Sequence, residues 1–379
     1  MTLYVTGALA GVRVIDLSRV LGGPYCGQVL GDHGADVLKV EPPKGDETRF
    51  WGPPFQDGVA AYYLGLNRNK RGTTLDLSTP AGVEALYELL ADADVLIENF
   101  KTGTLEKWGL GFDLLSQRFP RLIHCRISGF GADGPLGGRV GYDAAIQALC
   151  GIMSVNGEAQ GEPLRVGIPL VDQCTGMNAV SGILLALYER TQSGLGQFVE
   201  CSLFDTGISL LHPYSSNWFA SRQPPQRTGN AHVSLYPYDV FPTASVPVFI
   251  GVGNNRQFAL LCDCLDAPAL RDDPRFAEPA LRSINRIPLR QLLVELLADR
   301  QGAAVADRLL QSGVPAAPQL DVPAALNHPH TAHRQMLVTI GDGYRGVASP
   351  IKLSRTPASY RLAPPVAALE RKKKESHHG

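Results

Sequence analysis

The chain of 379 residues is 44% hydrophobic and 19% charged, with a formal net charge of -1. This balance builds packed cores and excludes a disordered or fibrous chain. The near-zero charge gives no bulk attraction to nucleic acid or anionic membranes, and the length exceeds one comfortable core, so two domains are expected.

From Val12 the pattern alternates between short apolar strands and helices. It predicts a strand over Val12 to Leu17, a helix over Pro24 to Asp32 and a strand over Val37 to Glu41. Next come a strand over Thr73 to Leu77, a helix over Pro80 to Ala91, started by Thr79-Pro80, and a strand over Val95 to Phe100. A short helix around Phe112 to Arg118 precedes the strand Leu122 to Ser128. Such alternation signals a mostly parallel sheet covered on both faces. Gly129 to Gly141 is a Gly-rich loop, and Gly141-Tyr142-Asp143 opens the apolar segment Ala144 to Ser154, where Asp143 reads as an N-cap. After the turn-rich stretch Asn156 to Pro169, Gly176 to Arg190 reads as a buried helix and Phe198 to Leu203 as a strand.

Ser221 to His232, rich in Arg, Gln, Pro and Gly, reads as a crossover into a second unit. That unit has a strand around Val246 to Gly251 and helices near Gln257 to Leu265, Pro288 to Asp299, Ala304 to Gln311 and Val322 to Leu326. Seven cysteines, odd in number and without a C-x-x-C pair, mostly lie in apolar runs and read as reduced residues of a cytoplasmic protein. Cys262 and Cys264 sit on different faces of a helical pattern, so no metal site is expected. No leader pattern opens the chain, and no apolar run reaches about 18 residues without a polar break, so neither export nor a membrane span is expected.

Asp172 stands between the turn-rich stretch and the long apolar helix. On spacing alone the commoner role is an N-cap accepting first-turn amides. The alternative is a nucleophile: a carboxylate is ionised at neutral pH and needs no adjacent base to attack an acyl carbon. Cys174 nearby has no basic neighbour in sequence and makes a poor candidate. A dinucleotide site is disfavoured, although Glu41 ends the second strand where a ribose-binding acid belongs. The first strand-to-helix junction, Leu21 to Gly27, is not G-x-G-x-x-G.

Several stretches occur in one order: Gly11-Val12-Arg13-Val14-Ile15-Asp16-Leu17, Gly23-Pro24, Gly34-Ala35-Asp36-Val37, Glu41-Pro42-Pro43, Gly45-Asp46, Thr48-Arg49, Glu98-Asn99-Phe100-Lys101, Gly141-Tyr142-Asp143, Gln147-Ala148, Asp172 and Ala186-Leu187-Tyr188-Glu189-Arg190. This order resembles the class III CoA-transferase family, from about Gly11 to Pro357. The resemblance is closest to the types acting on oxalate or succinate. It implies an α/β fold with a large Rossmann-like CoA-binding domain over 1–220, a small α/β domain over 221–328, a return segment over 329–366 and a tail over 367–379 expected to be disordered. It also implies a homodimer of interlocked rings. After about Pro365 the chain departs from the family pattern.

By resemblance Asp172 is the nucleophile, forming an aspartyl anhydride and then an aspartyl-CoA thioester. No permanently bound cofactor or metal is expected; acyl-CoA and a small carboxylic acid, with a short dicarboxylate favoured, are the implied substrates. The implied CoA contacts are Leu21, Gly22, Leu75, Asn99, Phe100, Lys101, Lys107, Arg139, Tyr142 and Asp143, with Lys44, Arg49, Lys70 and Arg71 as further cations for the phosphates. Leu21 stands where formyl-CoA transferase carries Gln. His232, Gly251, Gly253 and Asn254 are implied near the substrate, although each also reads as a turn residue, and Arg165 and Arg227 would favour a second carboxylate. Two other readings stay open: a non-catalytic CoA-binding protein, and a racemase like alpha-methylacyl-CoA racemase. The racemases carry Gly-His-Asp where this chain has Gly141-Tyr142-Asp143, and Tyr is a poor base at neutral pH.

Overall fold

The structure, a computed structural model, describes residues 6–365. The expected tail over 367–379 lies outside the described residues. The chain divides into two compact units: 6–152, 165–219 and 332–365 form the first, and 153–164 with 220–331 the second. The stretch 153–164, expected in the first domain, belongs to the second because its own turn is tied there: the Arg227 guanidinium donates to the carbonyls of Glu158 and Gly161.

In the first unit the strands are β1 (Arg13–Asp16), β2 (Asp36–Glu41), β3 (Lys70–Thr74), β4 (Val95–Glu98), β5 (Ile123–Ser128) and β6 (Phe198–Ser202). They form one parallel sheet in the order β3-β2-β1-β4-β5-β6. Period-two alternation sends Val14, Val37, Val95 and Ile97 to one apolar core and Ile15, Leu38, Val40 and Leu96 to the other. β3 lies three residues earlier than its expected position at Thr73 to Leu77. Lys70 reads as a loop residue, yet it is buried in the strand with its ammonium shared among Asp16 Oδ2 (2.8 Å), Asn67 Oδ1 (2.9 Å) and the Pro24 carbonyl (2.8 Å).

The helices that position the site are α1 (Gly22–Asp32), α2 (Pro80–Leu90), α3 (Phe112–Arg118), α4 (Asp143–Leu149), α5 (Leu170–Ser193) and α6 (Leu203–Ser209). α1 and α5 cross closely because both carry glycine at the contact. A Cβ on Gly176 would stand 2.6 Å from the Gly22 carbonyl oxygen, and one on Gly22 would stand 3.3 Å from that of Asp172. Among the described residues α5 alone is long and apolar enough to cross a bilayer by length and composition. Its Ala179, Val180, Ile183 and Ala186 are buried in the core of this unit. Residues 332–365 return to the first unit, where Leu337–Ile340 and Tyr344–Val347 pair as a separate antiparallel hairpin.

The second unit holds a three-stranded antiparallel sheet, β7 (Tyr238–Phe241), β8 (Val248–Gly251) and β9 (Ala316–Pro318), in the order β9-β8-β7. Helices α7 (Asn255–Cys264), α8 (Arg286–Leu297) and α9 (Gly302–Ser312) bury Phe258, Leu261, Leu293 and Leu309 with Phe241 and Ile250 in its own core.

Candidate active site

The strand order reverses between β1 and β4, so the loops leaving their carboxyl ends diverge and open a crevice, the usual ligand site of a doubly wound sheet. A cavity of about 300 Å³ lies there, walled by the loop after β1 (Arg19 to Gly22), the loop after β4 (Asn99 to Thr102), the end of β5 (Ile127 to Gly129), Arg139 to Tyr142 and Asp172. The structure therefore brings together eight of the residues named from sequence: Leu21, Gly22, Asn99, Phe100, Lys101, Arg139, Tyr142 and Asp172. Asn99 staples the first two loops, accepting from the Arg19 amide at 2.8 Å and donating to the Arg19 carbonyl at 2.6 Å. Phe100 lies under the Arg19 guanidinium and packs edge-on against Trp108.

Leu75 and Lys107 are off the cavity wall. Leu75 packs into the apolar core beside Leu77, and Lys107 is exposed on the short helix Thr104–Lys107. Of the further cations, Arg49 and Lys70 cannot reach a phosphate. Arg49 is buried in a two-point pair with Glu41, at 2.8 and 2.7 Å, and Lys70 is spent on Asp16. The same pair removes Glu41 from any ribose. Arg71 is exposed and paired with Asp36. Lys44 lines a neighbouring cavity of about 580 Å³ that shares Arg19 and Glu47 with the first.

Asp172 is not the N-cap of its helix. α5 starts six residues before the expected Gly176, Pro169 occupies the cap position without a side-chain bond, and Asp172 falls in the first turn. The capping is done by Asp143. Its Oδ2 accepts from the amides of Val171 (2.8 Å) and Asp172 (3.1 Å), while its Oδ1 accepts from Gln147 Nε2 at 2.5 Å. Nor does Asp143 cap its own helix, since Tyr142 holds that position, and it is buried behind the cavity, off its wall.

A carboxylate in the first turn of a helix is ordinarily held low by the helix field. Here burial, followed by the negative charge of Asp143, pushes Asp172 up to about 7. The expectation of a carboxylate fully ionised at neutral pH is therefore corrected: near pH 7 the group sits at its midpoint. Cys174 is raised by burial and by Asp143, which makes it a weaker nucleophile still.

Sequence reasoning missed four parts of the site. Arg19 and Glu47 look like ordinary loop charges, but both line the cavity and its neighbour. Val20 holds φ +70°, a left-handed conformation costly for a β-branched residue, and strain of this kind concentrates at functional sites. Tyr62 is pushed up to about 12 by burial and then by the charges of Asp172 and Asp143, so it stays a proton donor within their field. No local signal in the sequence marks Tyr62. Among the described residues no group of three or more His, Cys, Asp or Glu is arranged to hold a metal.

The residues implied near the substrate from the second unit have local roles there. His232 Nδ1 accepts from the Ser234 and Leu235 amides, Gly251 ends β8, the Gly253 amide donates to Gln257, and Asn254 caps α7.

A doubly wound parallel sheet with a raised carboxylate at its switch point and cations around the crevice is the layout of an α/β enzyme acting on an extended anionic ligand. The chain belongs to CoA-transferase family III, whose model matches residues 9–368, and is a CoA-transferase of that class. It is 39% identical to the succinate–glutarate CoA-transferase of Agrobacterium fabrum, over 94% of this chain and 92% of that one. It is also 39% identical to the acetyl-CoA:oxalate CoA-transferase of Acetobacter aceti, over 92% and 90%. A crystal structure of a CAIB/BAIF family protein from Brucella suis matches with TM-score 0.87 at 38% identity, covering 98% of this chain and 99% of that one.

Proposed function

We propose that this protein moves CoA from an acyl-CoA donor to a short dicarboxylate through covalent intermediates on Asp172. The observation that carries this is the Asp172 carboxyl on the wall of a cavity that also presents Arg19, Lys101 and Arg139. Asp172 Oδ attacks the thioester carbonyl, the C–S bond breaks, and CoA thiolate departs to leave a mixed anhydride. The thiolate then attacks the Asp172 γ-carbon and expels the donor acid, giving an aspartyl-CoA thioester. The acceptor carboxylate displaces the thiolate to form a second anhydride, and thiolate attack on its acyl carbon releases the new acyl-CoA and the free carboxylate. Each displacement is balanced, with no water consumed and no net proton change. The cavity cations would offset charge on the developing oxyanions.

Relatives named for succinate, glutarate and oxalate support a dicarboxylate acceptor. The two adjoining cavities, with Lys44 at the second, suit an extended CoA molecule. A homodimer, as interlocked rings, belongs to the same reading: the outward side of α5 exposes Leu185 (71%) and Tyr188 (70%), an apolar face that a second copy would cover. Unpaired cysteines support a cytoplasmic setting.

The sign of the pH dependence tests the proposal. With Asp172 at about 7, the attacking carboxylate is lost as pH falls. The rate of donor-acid release from acyl-CoA in a single turnover without acceptor should drop about tenfold per pH unit below about pH 6 and level off above about pH 8. A rate flat from pH 5 to 8 would remove Asp172 as the attacking group.

A further inference from the structure

We infer that Asp143 is a positioning residue for the Asp172 nucleophile: its carboxylate occupies the first-turn amides of α5 at Val171 and Asp172 and sets a negative charge against the helix field there. The inference rests on the reading of Asp172 as the attacking group.

The geometry is a chain of bonds that reaches Asp172 only through the backbone. The Val166 amide donates to Gln147 Oε1 at 2.8 Å, and Gln147 Nε2 donates to Asp143 Oδ1. Asp143 Oδ2 then takes the amides of Val171 and Asp172. Both side chains are buried, so this clamp is fixed and shielded from water. The remaining first-turn amides are also used: Leu170 donates to the Ile168 carbonyl and Gln173 to that of Pro169. The N-terminal amides that would stabilise an anion at Asp172 are thus already engaged, two of them by a full negative charge.

Other groups around Asp172 are few and named. Tyr62 from the short helix Ala61–Leu64 and Cys174 on the same turn are neutral near pH 7 and both raised. Arg19, Glu47, Lys101, Arg139 and Tyr142 share the cavity wall. β5, β6 and α6 also pack on α5, but the charge that registers on Asp172 is that of Asp143.

The chemical benefit follows from basicity. A more basic carboxylate is a stronger nucleophile toward the thioester, and being half-ionised near pH 7 costs only about a factor of two in population. Without the opposing charge, burial would still hold Asp172 above the usual carboxylate range, but less far, leaving a more abundant and weaker nucleophile.

Asp143→Asn keeps an acceptor for the two amides and removes the charge. The acid limb of donor-acid release should move down by about one pH unit, so that at pH 6 the ionised share rises several-fold while the plateau rate at pH 8 falls. Gln147→Leu strips a donor from Asp143 and should move the limb up. Either variant, confirmed folded by circular dichroism, decides the matter if the other fails to fold. An acid limb unchanged in a folded variant overturns the inference and leaves Asp143 as a structural clamp alone. Peptide mapping of acyl-CoA-treated wild type after hydroxylamine separates the two levels. Modification at Asp172 with unmoved limbs sinks only the role of Asp143, whereas its absence sinks the nucleophile and with it this inference.

Discussion

Replacing Asp172 with Ala is expected to lower turnover at least about 10³-fold while leaving CoA binding within a few-fold of wild type. The loss is large because every covalent intermediate is built on this carboxyl, so nothing else in the cavity substitutes for it. Binding survives because the cavity cations and the Asn99 staple are untouched. Activity and CoA affinity, the second by calorimetry, are measured on the same preparation. Retained turnover would mean another group attacks.

The same site carries a stability signature. The folded Asp172 is raised to about 7 from an ordinary 3.8, so the native state binds more protons than the unfolded chain between those values. Stability contributed by this group therefore falls as pH rises through that window and stays low above it. Asp172→Asn, which cannot ionise, should melt higher than wild type above pH 7, with the gain vanishing near pH 4. Each tenfold change in proton affinity is worth about 1.4 kcal/mol, so the gain amounts to a few kcal/mol.

The second large effect lies under the sheet. Lys70 and Asp16 are completely buried at 2.8 Å, and Asp16 also holds the Ser18 amide and hydroxyl at the start of the loop that forms the cavity wall. Burial lowers Lys70 to about 8, and its three donors, all used, offset part of the cost of burying the charge. Lys70→Met strands a carboxylate in the core and should cost about 3–5 kcal/mol in chemical unfolding. The double variant Lys70→Met with Asp16→Leu should cost less than the sum of the two single changes, since no charge is left unpaired. Additive costs would show that the two groups do not act as a pair.

Much of the fold was legible because short apolar strands and capped helices carry local signals. The helix at Phe112–Arg118, the turn at Thr79-Pro80 and the strand ending at Ser128 all fall where periodicity puts them. The misses are non-local. β3 reads as a charged loop because Lys70 finds its carboxylate 54 residues away, across the sheet. The start of α5 is hidden in the sequence because Pro169-Leu170-Val171 continues a turn-rich stretch, and the group that caps it, Asp143, lies 29 residues upstream of Asp172. The same distance hid the reason for the raised proton affinity of Asp172, since neither its burial nor its charged neighbour can be read from adjacent residues.

The most direct measurement is the intact mass of the protein after mixing with succinyl-CoA or acetyl-CoA and trapping with hydroxylamine or borohydride, with Asp172→Ala in parallel. A mass change mapped to Asp172 and missing from the variant is the predicted result. An unmodified Asp172 in a protein that still turns over would contradict covalent catalysis by that carboxyl.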